Sequence, residues 1–188
     1  MKTIMFDVDG VLADFSYAFT KECGIFTPVA GPEQQAWDFP EIPREVQNEV
    51  WKRIKASRDW WLNLPSLVSA DVFWKIDELV SDHQLVFVTS RVGIAPQLQT
   101  ELWLHHYGIQ NPCVVVSKRK AEIAKAIDAD YSIDDKPENV ACVHWIADVK
   151  PCRSYVIDRP YNRTGFIPKN VRRVLTVEEF LNDIEEGK

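Results

Sequence analysis

Short apolar runs alternate with longer amphipathic segments along most of the 188-residue chain. An apolar run bounded by turn residues predicts a strand that is buried on both faces, and apolar residues at helical spacing predict a helix. The predicted strands are residues 3–6, 84–89, 112–117, 130–133 and 153–157, with another short strand from residue 171. The predicted helices are residues 12–22, 44–56, 70–80, 96–107, 120–127, 138–145 and 177–186. Strands and helices that alternate in this way predict a parallel sheet covered by helices on both faces.

Residues 25–65 depart from this alternation. The segment contains Pro28, Pro32, Pro40, Pro43 and Pro65 together with the large aromatic residues Trp37, Phe39, Trp51, Trp60 and Trp61. Because prolines interrupt regular structure, one helix at residues 44–56 is the only one expected there. We therefore predict a small insertion at residues 25–65 in a core domain formed by residues 1–24 and 66–188.

The composition argues against several kinds of partner. The chain has 22 basic and 28 acidic residues and a formal net charge of −6, which disfavours binding along a nucleic-acid backbone. No stretch approaches the roughly 20 apolar residues that cross a membrane, and the N-terminus lacks a signal-peptide pattern. We therefore expect no long nucleic-acid partner, no membrane partner and a cytoplasmic location, while the oligomeric state stays open. The 4 cysteines have no C-x-x-C spacing and predict reduced, buried thiols.

Small polar or charged side chains follow the predicted strands. They are Asp7 and Asp9, Thr89 and Ser90, Ser117 to Lys120, Asp134 and Asp135, and Asp158 and Arg159. Because the carboxyl ends of parallel strands share one edge of the sheet, these groups should converge. Asp7 and Asp9 point to the same side of an extended chain, and Gly10 permits the chain to turn away.

Converging carboxylates are costly unless a cation holds them. Mg²⁺ bound together with a substrate phosphate is the simplest explanation for Asp7 and Asp9. The alternative is that both aspartates only cap the following helix, which is a common use of Asp near a helix start.

The segments DVDGVLADF, VFVTSR, SKRK and IDD occur in this order along the chain. They resemble the four motifs of the haloacid dehalogenase (HAD) superfamily of phosphohydrolases. The opening segment, the aromatic-rich insertion before TSR and the late IDRPYN are similar to the 5'(3')-deoxyribonucleotidases within that superfamily. The resemblance extends from Met1 to about Arg159. It implies a HAD-like Rossmannoid α/β fold of three layers with a central parallel sheet, and it makes residues 25–65 a small, mainly helical cap.

The resemblance also implies catalytic and metal-binding roles for the residues that match the motifs. Asp7 would be the nucleophile, and Asp9 would act first as general acid and then as general base. Mg²⁺ would be held by Asp7, the main-chain carbonyl of Asp9 and Asp134. Asp135 would be a direct or a water-mediated ligand.

Phosphate binding falls to the groups that follow the second and third strands. By the same resemblance, Thr89 and Ser90 would donate hydrogen bonds to phosphate oxygens, and Lys120 would neutralise the charge that develops there. Lys118 follows the same strand and is the alternative to Lys120. Arg91 is a further candidate for contact with the phosphate or with the leaving group.

Aromatic residues are the candidates for holding the leaving group. Adjacent side chains in an extended stretch point opposite ways, so either Trp60 or Trp61 is expected to face the cleft. Together with Phe15 it would form a wall on which a nucleobase can stack. The alternative is that these aromatic side chains form the core of the insertion.

The resemblance thus predicts a Mg²⁺-dependent phosphohydrolase that forms an aspartyl-phosphate and acts on nucleoside monophosphates, 5'-deoxyribonucleotides above all. One alternative is a HAD phosphatase for another small phosphate ester or for a polynucleotide end. Another is a catalytically silent binding module, against which the intact Asp7, Asp9, Lys120 and Asp134 argue.

Overall fold

A parallel sheet forms the centre of the fold. The computed structural model describes residues 1–25, 28–146 and 151–187. The strands are β1 (Thr3–Phe6), β2 (Gln84–Thr89), β3 (Val114–Val116), β4 (Tyr131–Asp134), β5 (Arg153–Ile157) and β6 (Arg172–Val174). Every neighbouring pair is parallel, and the order across the sheet is β3-β2-β1-β4-β5-β6. The predicted strands and their parallel arrangement are therefore confirmed, with small differences at the ends.

Helices connect the strands. They are α1 (Phe15–Glu22), α2 (Arg44–Ala56), α3 (Ala70–Glu78), α4 (Pro96–His106), α5 (Lys120–Ala126), α6 (Pro137–Ile146) and α7 (Val177–Glu185). α1 begins at Phe15 rather than at residue 12, because the Asp14 carboxylate caps it by accepting a hydrogen bond from the N–H of Tyr17 at 2.9 Å. Within the described ranges, no helix is long and apolar enough to cross a membrane.

The side chains of β1 alternate between two helical layers. Ile4 and Phe6 pack in a cluster that includes residues of α3, α4 and α7, whereas Met5 packs with residues of α5 and α6 on the other face. This alternation follows from the two-residue period of a strand. The sheet is therefore the middle of three layers, as the resemblance implies.

The carboxyl end of β1 lies where the strand order changes direction. β1 pairs with β2 on one side and with β4 on the other, so the chain adds β2 and β3 on one side of β1 and then returns to add β4, β5 and β6 on the other side. Phe6, the last residue of β1, is fully buried, with its ring 5.5 Å from that of Phe87 and 5.4 Å from that of Phe180. Open parallel sheets bind ligands at this kind of crevice. The packing of Phe6 therefore fixes the start of the segment that carries Asp7.

The insertion contains α2, as predicted, but its tryptophan pair adopts a different conformation from the predicted one. Trp60–Asn63 is a 3₁₀ helix and not an extended stretch, and the Ser57 hydroxyl starts it by accepting the N–H of Trp60 at 3.0 Å. The prediction that adjacent tryptophans lie on opposite sides of an extended chain is therefore wrong. Trp61 is buried, and its indole N–H donates to the carbonyl of Val92 at 2.8 Å. Residues 26 and 27 of the predicted insertion lie outside the described residues.

The four cysteines differ in burial. Cys23, Cys113 and Cys142 are free thiols. Cys152 is buried, whereas Cys113 and Cys142 are exposed, so the expectation of buried thiols is wrong for these two. Cys142 lies on α6 between buried Ala141 and Val143, so the helical turn carries its side chain away from the core.

Candidate active site

Lys120 joins two of the predicted carboxylates at the sheet edge. Its Nζ lies 2.7 Å from Asp7 Oδ1 and 2.6 Å from Asp134 Oδ2, and all three side chains are buried. Asp7 directly follows β1, Asp134 ends β4 and Lys120 opens α5, so three separate elements supply the cluster. Burial lowers the pKa of Lys120, but the carboxylates of Asp134 and Asp7 outweigh burial and raise it. Lys118 is exposed, so of the two candidate lysines Lys120 is the one placed beside Asp7.

Asp7, Asp134 and Asp135 form an acidic triad. Each offers one carboxylate oxygen, and these oxygens lie within 4.8 Å of one another. Burial and the nearby Asp134 carboxylate raise the pKa of Asp7 well above its ordinary value. The same two causes raise the pKa of Asp135 to about 7. Three buried carboxylates face a single lysine, and hard oxygen donors are the ligands that Mg²⁺ prefers, so the donor set fits a divalent cation.

Neighbouring donors hold Asp134 in place. Its Oδ1 accepts the main-chain N–H of Lys136 at 2.8 Å, and the Asn139 amide donates to both carboxylate oxygens at 3.1 and 3.2 Å. Asn139 lies in the first part of α6, so the short turn after β4 brings it back to the strand end. The sequence prediction did not include Asn139, because a single Asn in a helix carries no pattern of its own.

Tyr161 and Trp37 connect Asp135 to the insertion. The Tyr161 hydroxyl donates to Asp135 Oδ2. The ring of Trp37, from the insertion, lies edge-on to Tyr161 with centroids 5.2 Å apart, and Lys136 Nζ lies 5.1 Å from the Trp37 centroid. Tyr161 belongs to the IDRPYN segment, which the sequence offers only as part of the family resemblance. Its contact with Asp135 follows from the structure alone.

The turn after β1 is closed by main-chain hydrogen bonds on both sides of Asp9. The carbonyl of Val8 accepts the N–H groups of Leu12 and Ala13 at 2.8 Å, and the N–H of Gly10 donates to the carbonyl of Ala13 at 2.9 Å. Gly10 has a φ of +82°, and a Cβ at this position would lie 2.0 Å from Asp135 Oδ2. Arg159 adds a brace, since its Nε donates to the carbonyl of Gly10 at 3.0 Å.

Asp9 is paired with Arg91. Arg91 Nη2 donates to Asp9 Oδ1 at 2.8 Å, and its Nε contacts both carboxylate oxygens at 3.1 and 3.2 Å. Thr89 Oγ1 donates to Asp9 Oδ2 at 3.2 Å. Ser90 is exposed, and its hydroxyl donates to the carbonyl of Ser117 at 3.3 Å. The structure therefore turns Thr89 and Arg91 towards Asp9 and leaves Ser90 accessible.

A cavity of about 570 Å³ opens beside these residues. Its polar lining includes Asp9, Ser90, Lys118 and Asp135, whereas Asp7 and Lys120 are not in the lining. Its aromatic lining is supplied by Phe15, Phe19, Trp37, Phe39, Trp51, Trp61 and Tyr161. A cavity of this size that combines aromatic side chains with polar and charged ones is typical of a small-molecule site.

Of the aromatic residues proposed for the wall, Phe15 and Trp61 line the cavity, and Trp51 lines it as well. Phe15 lies at the centre, with its ring 5.6 Å from that of Trp51 and 6.1 Å from that of Trp61. Trp60 contacts Phe15 edge-on at 5.8 Å but is not among the residues that line the cavity. Trp51 from α2 stacks on Phe15 and belongs to the wall.

A family model described as "5' nucleotidase, deoxy (Pyrimidine), cytosolic type C protein" matches residues 1–177. The chain belongs to this family. The match includes the insertion as well as the core, and it confirms the predicted resemblance to HAD-superfamily nucleotidases. The family makes this protein a phosphoric monoester hydrolase of the 5'-nucleotidase type.

Solved structures share the fold of this nucleotidase family member. A D,D-heptose 1,7-bisphosphate phosphatase from Burkholderia thailandensis superposes with a TM-score of 0.58 and 13% identity, over 98% of this chain and 99% of that chain. A protein classed as a haloacid dehalogenase-like hydrolase from Burkholderia xenovorans LB400 gives a TM-score of 0.61 and 10% identity, over 98% and 96% of the two chains. The predicted HAD-like fold is thereby confirmed.

A further neighbour was solved with ligands. The D,D-heptose 1,7-bisphosphate phosphatase from B. bronchiseptica, complexed with magnesium and phosphate, gives a TM-score of 0.55 and 13% identity over 100% of both chains. At this identity the likeness is one of fold. The comparison with curated proteins gave no match.

Gly10→Ala is expected to lower phosphatase activity by about 100-fold, the loss that a displacement of about 1 Å in an active site can cause. The added methyl would push Asp135 away from Asp7 and Asp134. Initial rates on an aryl phosphate measure the effect. Gly24→Ala is the matched control, because Gly24 has a φ of +79° and nothing within 4 Å of an added Cβ. Both variants carry similar backbone strain, so equal activities in the two would contradict the prediction.

Proposed function

We propose that this protein hydrolyses nucleoside 5'-monophosphates, 5'-deoxyribonucleotides above all, in a Mg²⁺-dependent reaction through an aspartyl-phosphate on Asp7. The observation that carries the proposal is the aromatic-lined cavity that opens beside Asp9, Ser90 and Asp135. A phosphate at the strand ends would leave the rest of a nucleotide facing this wall. A cytoplasmic location remains a prediction.

In the first half-reaction, a carboxylate oxygen of Asp7 attacks the phosphorus of the substrate. The bond from phosphorus to the 5'-oxygen breaks, and Asp9 gives that oxygen a proton, so the nucleoside leaves as an alcohol. In the second half-reaction, Asp9 takes a proton from a water molecule that attacks the same phosphorus. The bond to Asp7 breaks, and inorganic phosphate is released.

The charges at the strand ends support this chemistry. Lys120, already 2.7 Å from Asp7, would neutralise phosphate oxygens during the transfer. Mg²⁺ would be held by Asp7, Asp134 and the main-chain carbonyl of Asp9. Asp135 would bind it directly or through a water molecule. When bound, the cation supplies further neutralisation of negative charge. Ser90 would donate a hydrogen bond to the phosphate.

The aromatic wall supports a flat leaving group. Stacking of a base on an aromatic side chain is worth roughly 1–3 kcal/mol and depends little on the base. Asp38, Arg44 and Asn48 also line the cavity, and their polar groups can hydrogen-bond to the edges of a base. Rates of phosphate release across nucleoside mono-, di- and triphosphates, sugar phosphates and a 3'- or 5'-phosphorylated oligonucleotide test the substrate class. A clear preference for the sugar phosphates or the oligonucleotide would overturn the nucleotide assignment.

Asp7→Asn is expected to lower turnover by several orders of magnitude, because an amide cannot form the acyl-phosphate. The measurement is phosphate release under saturating substrate. Asp82→Asn is the matched control and should retain wild-type activity, because Asp82 is exposed and precedes the amino end of β2, whereas the site lies at the carboxyl ends of the strands. Retention of more than about a tenth of activity in Asp7→Asn, a barrier change under about 1.4 kcal/mol, would exclude Asp7 as the nucleophile.

Removal of divalent cations with EDTA followed by dialysis should abolish activity, and Mg²⁺ should restore it. Excess Ca²⁺ should inhibit, because its bonds of about 2.3–2.6 Å are longer than the roughly 2.0–2.1 Å of Mg²⁺ and displace the reacting groups. Mg²⁺ should also raise the Tm, since it relieves repulsion in the acidic triad and binds the folded state. Full activity after EDTA treatment, or a Tm that does not respond to Mg²⁺, would contradict the metal assignment.

Phe15→Ala and Trp51→Ala should each raise KM for a deoxynucleoside monophosphate about tenfold, equivalent to about 1.4 kcal/mol of lost stacking. Hydrolysis of a small aryl phosphate should change little. Trp74→Ala removes an exposed tryptophan outside the cavity and serves as the control. Trp60→Ala should raise KM for the nucleotide less than Trp51→Ala does, because Trp60 does not line the cavity. Equal losses of activity on the nucleotide and on the aryl phosphate would mean that the aromatic side chains have a purely structural role.

A further inference from the structure

Arg91 is buried, and its charged guanidinium does not face the cavity. The residue is 3% exposed, but its side chain is 0% exposed, so the part that reaches the cavity lining is main chain. A guanidinium that bound substrate directly would need accessible N–H groups. The prediction that Arg91 contacts phosphate or leaving group therefore does not fit its placement.

Every edge of the guanidinium has a partner. Nη2 and Nε donate to Asp9, while Nη1 donates to Thr100 Oγ1 at 3.1 Å and lies 3.5 Å from the carbonyl of Trp61. Its faces are covered as well, since Cζ lies 5.0 Å from the ring centroid of Trp61 and 5.8 Å from that of Trp103. Thr100 in turn donates to the carbonyl of Pro96 at 2.7 Å at the start of α4. Arg91 is thus held in one orientation by residues of the core domain together with Trp61 of the insertion.

Arg91 and Thr89 fix the orientation of the Asp9 carboxylate. Its Oδ1 accepts from Nη2 and Nε of Arg91, and its Oδ2 accepts from Nε and from Thr89 Oγ1. The Asp9 side chain keeps 23% of its surface exposed and lines the cavity. A carboxylate fixed from behind in this way can present a remaining lone pair to the substrate without a search over rotamers.

We propose that Arg91 is the positioning residue for Asp9, fixing the carboxylate that exchanges protons with the leaving oxygen and with water. The inference rests on the acid–base role given to Asp9 in the proposed function. Arg91 acts only through Asp9 and has no contact with substrate.

This role has a kinetic signature. In the first half-reaction Asp9 protonates the leaving oxygen, which matters for a nucleoside alcohol and hardly at all for nitrophenolate, a stable anion. Because kcat/KM reports the steps up to formation of the aspartyl-phosphate, poor positioning of Asp9 should lower kcat/KM for the nucleotide and spare 4-nitrophenyl phosphate. A general loss of structure would lower both.

The first test is Arg91→Lys, which keeps the charge but loses the planar fork. We expect kcat/KM for a deoxynucleoside 5'-monophosphate to fall about 30-fold or more, which is part of the roughly 10²–10⁴-fold that a general acid contributes. We expect kcat/KM for 4-nitrophenyl phosphate to fall less than about threefold. Arg159→Lys is the matched control, because Arg159 is also buried but contacts Gly10 and not Asp9. Arg159→Lys should lower kcat/KM for both substrates alike. Equal losses on the two substrates in Arg91→Lys would overturn the proposal.

A double-mutant cycle with Asp9→Asn tests whether Arg91 acts through Asp9. In the Asp9→Asn background, Arg91→Lys should change kcat/KM for the nucleotide by less than about twofold, because the group it positions is already absent. A further loss as large as that in the wild-type background would mean that Arg91 contacts the substrate itself, and it would overturn the proposal.

Thr100→Val keeps the test decisive if Arg91→Lys fails to fold. The substitution nearly conserves volume and removes only the hydroxyl that accepts from Arg91 Nη1. It should reproduce the selective loss at a smaller size, about three- to tenfold on the nucleotide. Equal losses on both substrates, or no loss on either, in a folded Thr100→Val protein would then overturn the proposal.

Failure of the substrate assignment can be told apart from failure of this inference. If the wild-type protein hydrolyses no nucleotide, the proposed function is wrong in its substrate. The same comparison is then made between 4-nitrophenyl phosphate and the best alkyl phosphate of the panel, because the argument for Arg91 depends on the leaving group and not on the base.

Discussion

Three buried carboxylates meet at one edge of the sheet, and the surrounding residues make that concentration of charge tolerable. The parallel strands bring Asp7, Asp134 and Asp135 within 4.8 Å of one another, where burial and mutual repulsion both oppose ionisation. Lys120 compensates one charge by bridging two of the carboxylates, and Tyr161 donates to the third. Among the described residues, no cationic side chain other than Lys120 forms an ion pair with these three carboxylates. Such an edge is suited to a complex of cation and phosphate rather than to a permanent ion pair.

The strand ends were accessible to prediction because two simple signals coincide there. Apolar runs located the strands within a few residues, and polar residues directly after them placed Asp7, Lys120 and Asp134 at one edge. The pairing of Asp9 with Arg91 was not accessible, since the two are 82 positions apart and meet only when β1 and β2 pair. The turn at Trp60 was also missed, because the hydrogen bond from its N–H to the Ser57 hydroxyl overrides the extended conformation that proline-rich segments favour.

The aromatic wall is also what attaches the insertion to the core. Phe15 and Phe19 of α1 pack on Trp51 of α2, with ring centroids 5.6 and 5.4 Å apart. The backbone of Lys55 at the end of α2 approaches Gly93 so closely that a Cβ there would lie 2.8 Å away. Cohesion between the two parts and the shape of the cavity therefore depend on the same hydrophobic contacts. Substitutions in this wall change both at once.

Trp61 is among the residues that line the cavity, and its ring also covers the Arg91 guanidinium. A single residue therefore belongs both to the lining of the cavity and to the support of the Asp9 carboxylate. Divergence towards new leaving groups is constrained at this position, because a change of shape there also disturbs Asp9. Trp51 has no such second contact with Arg91 among the described residues, so a substitution there changes the cavity and the packing of the insertion without disturbing Asp9. Drift in specificity within this lineage should accumulate on α2 before it reaches the 3₁₀ turn.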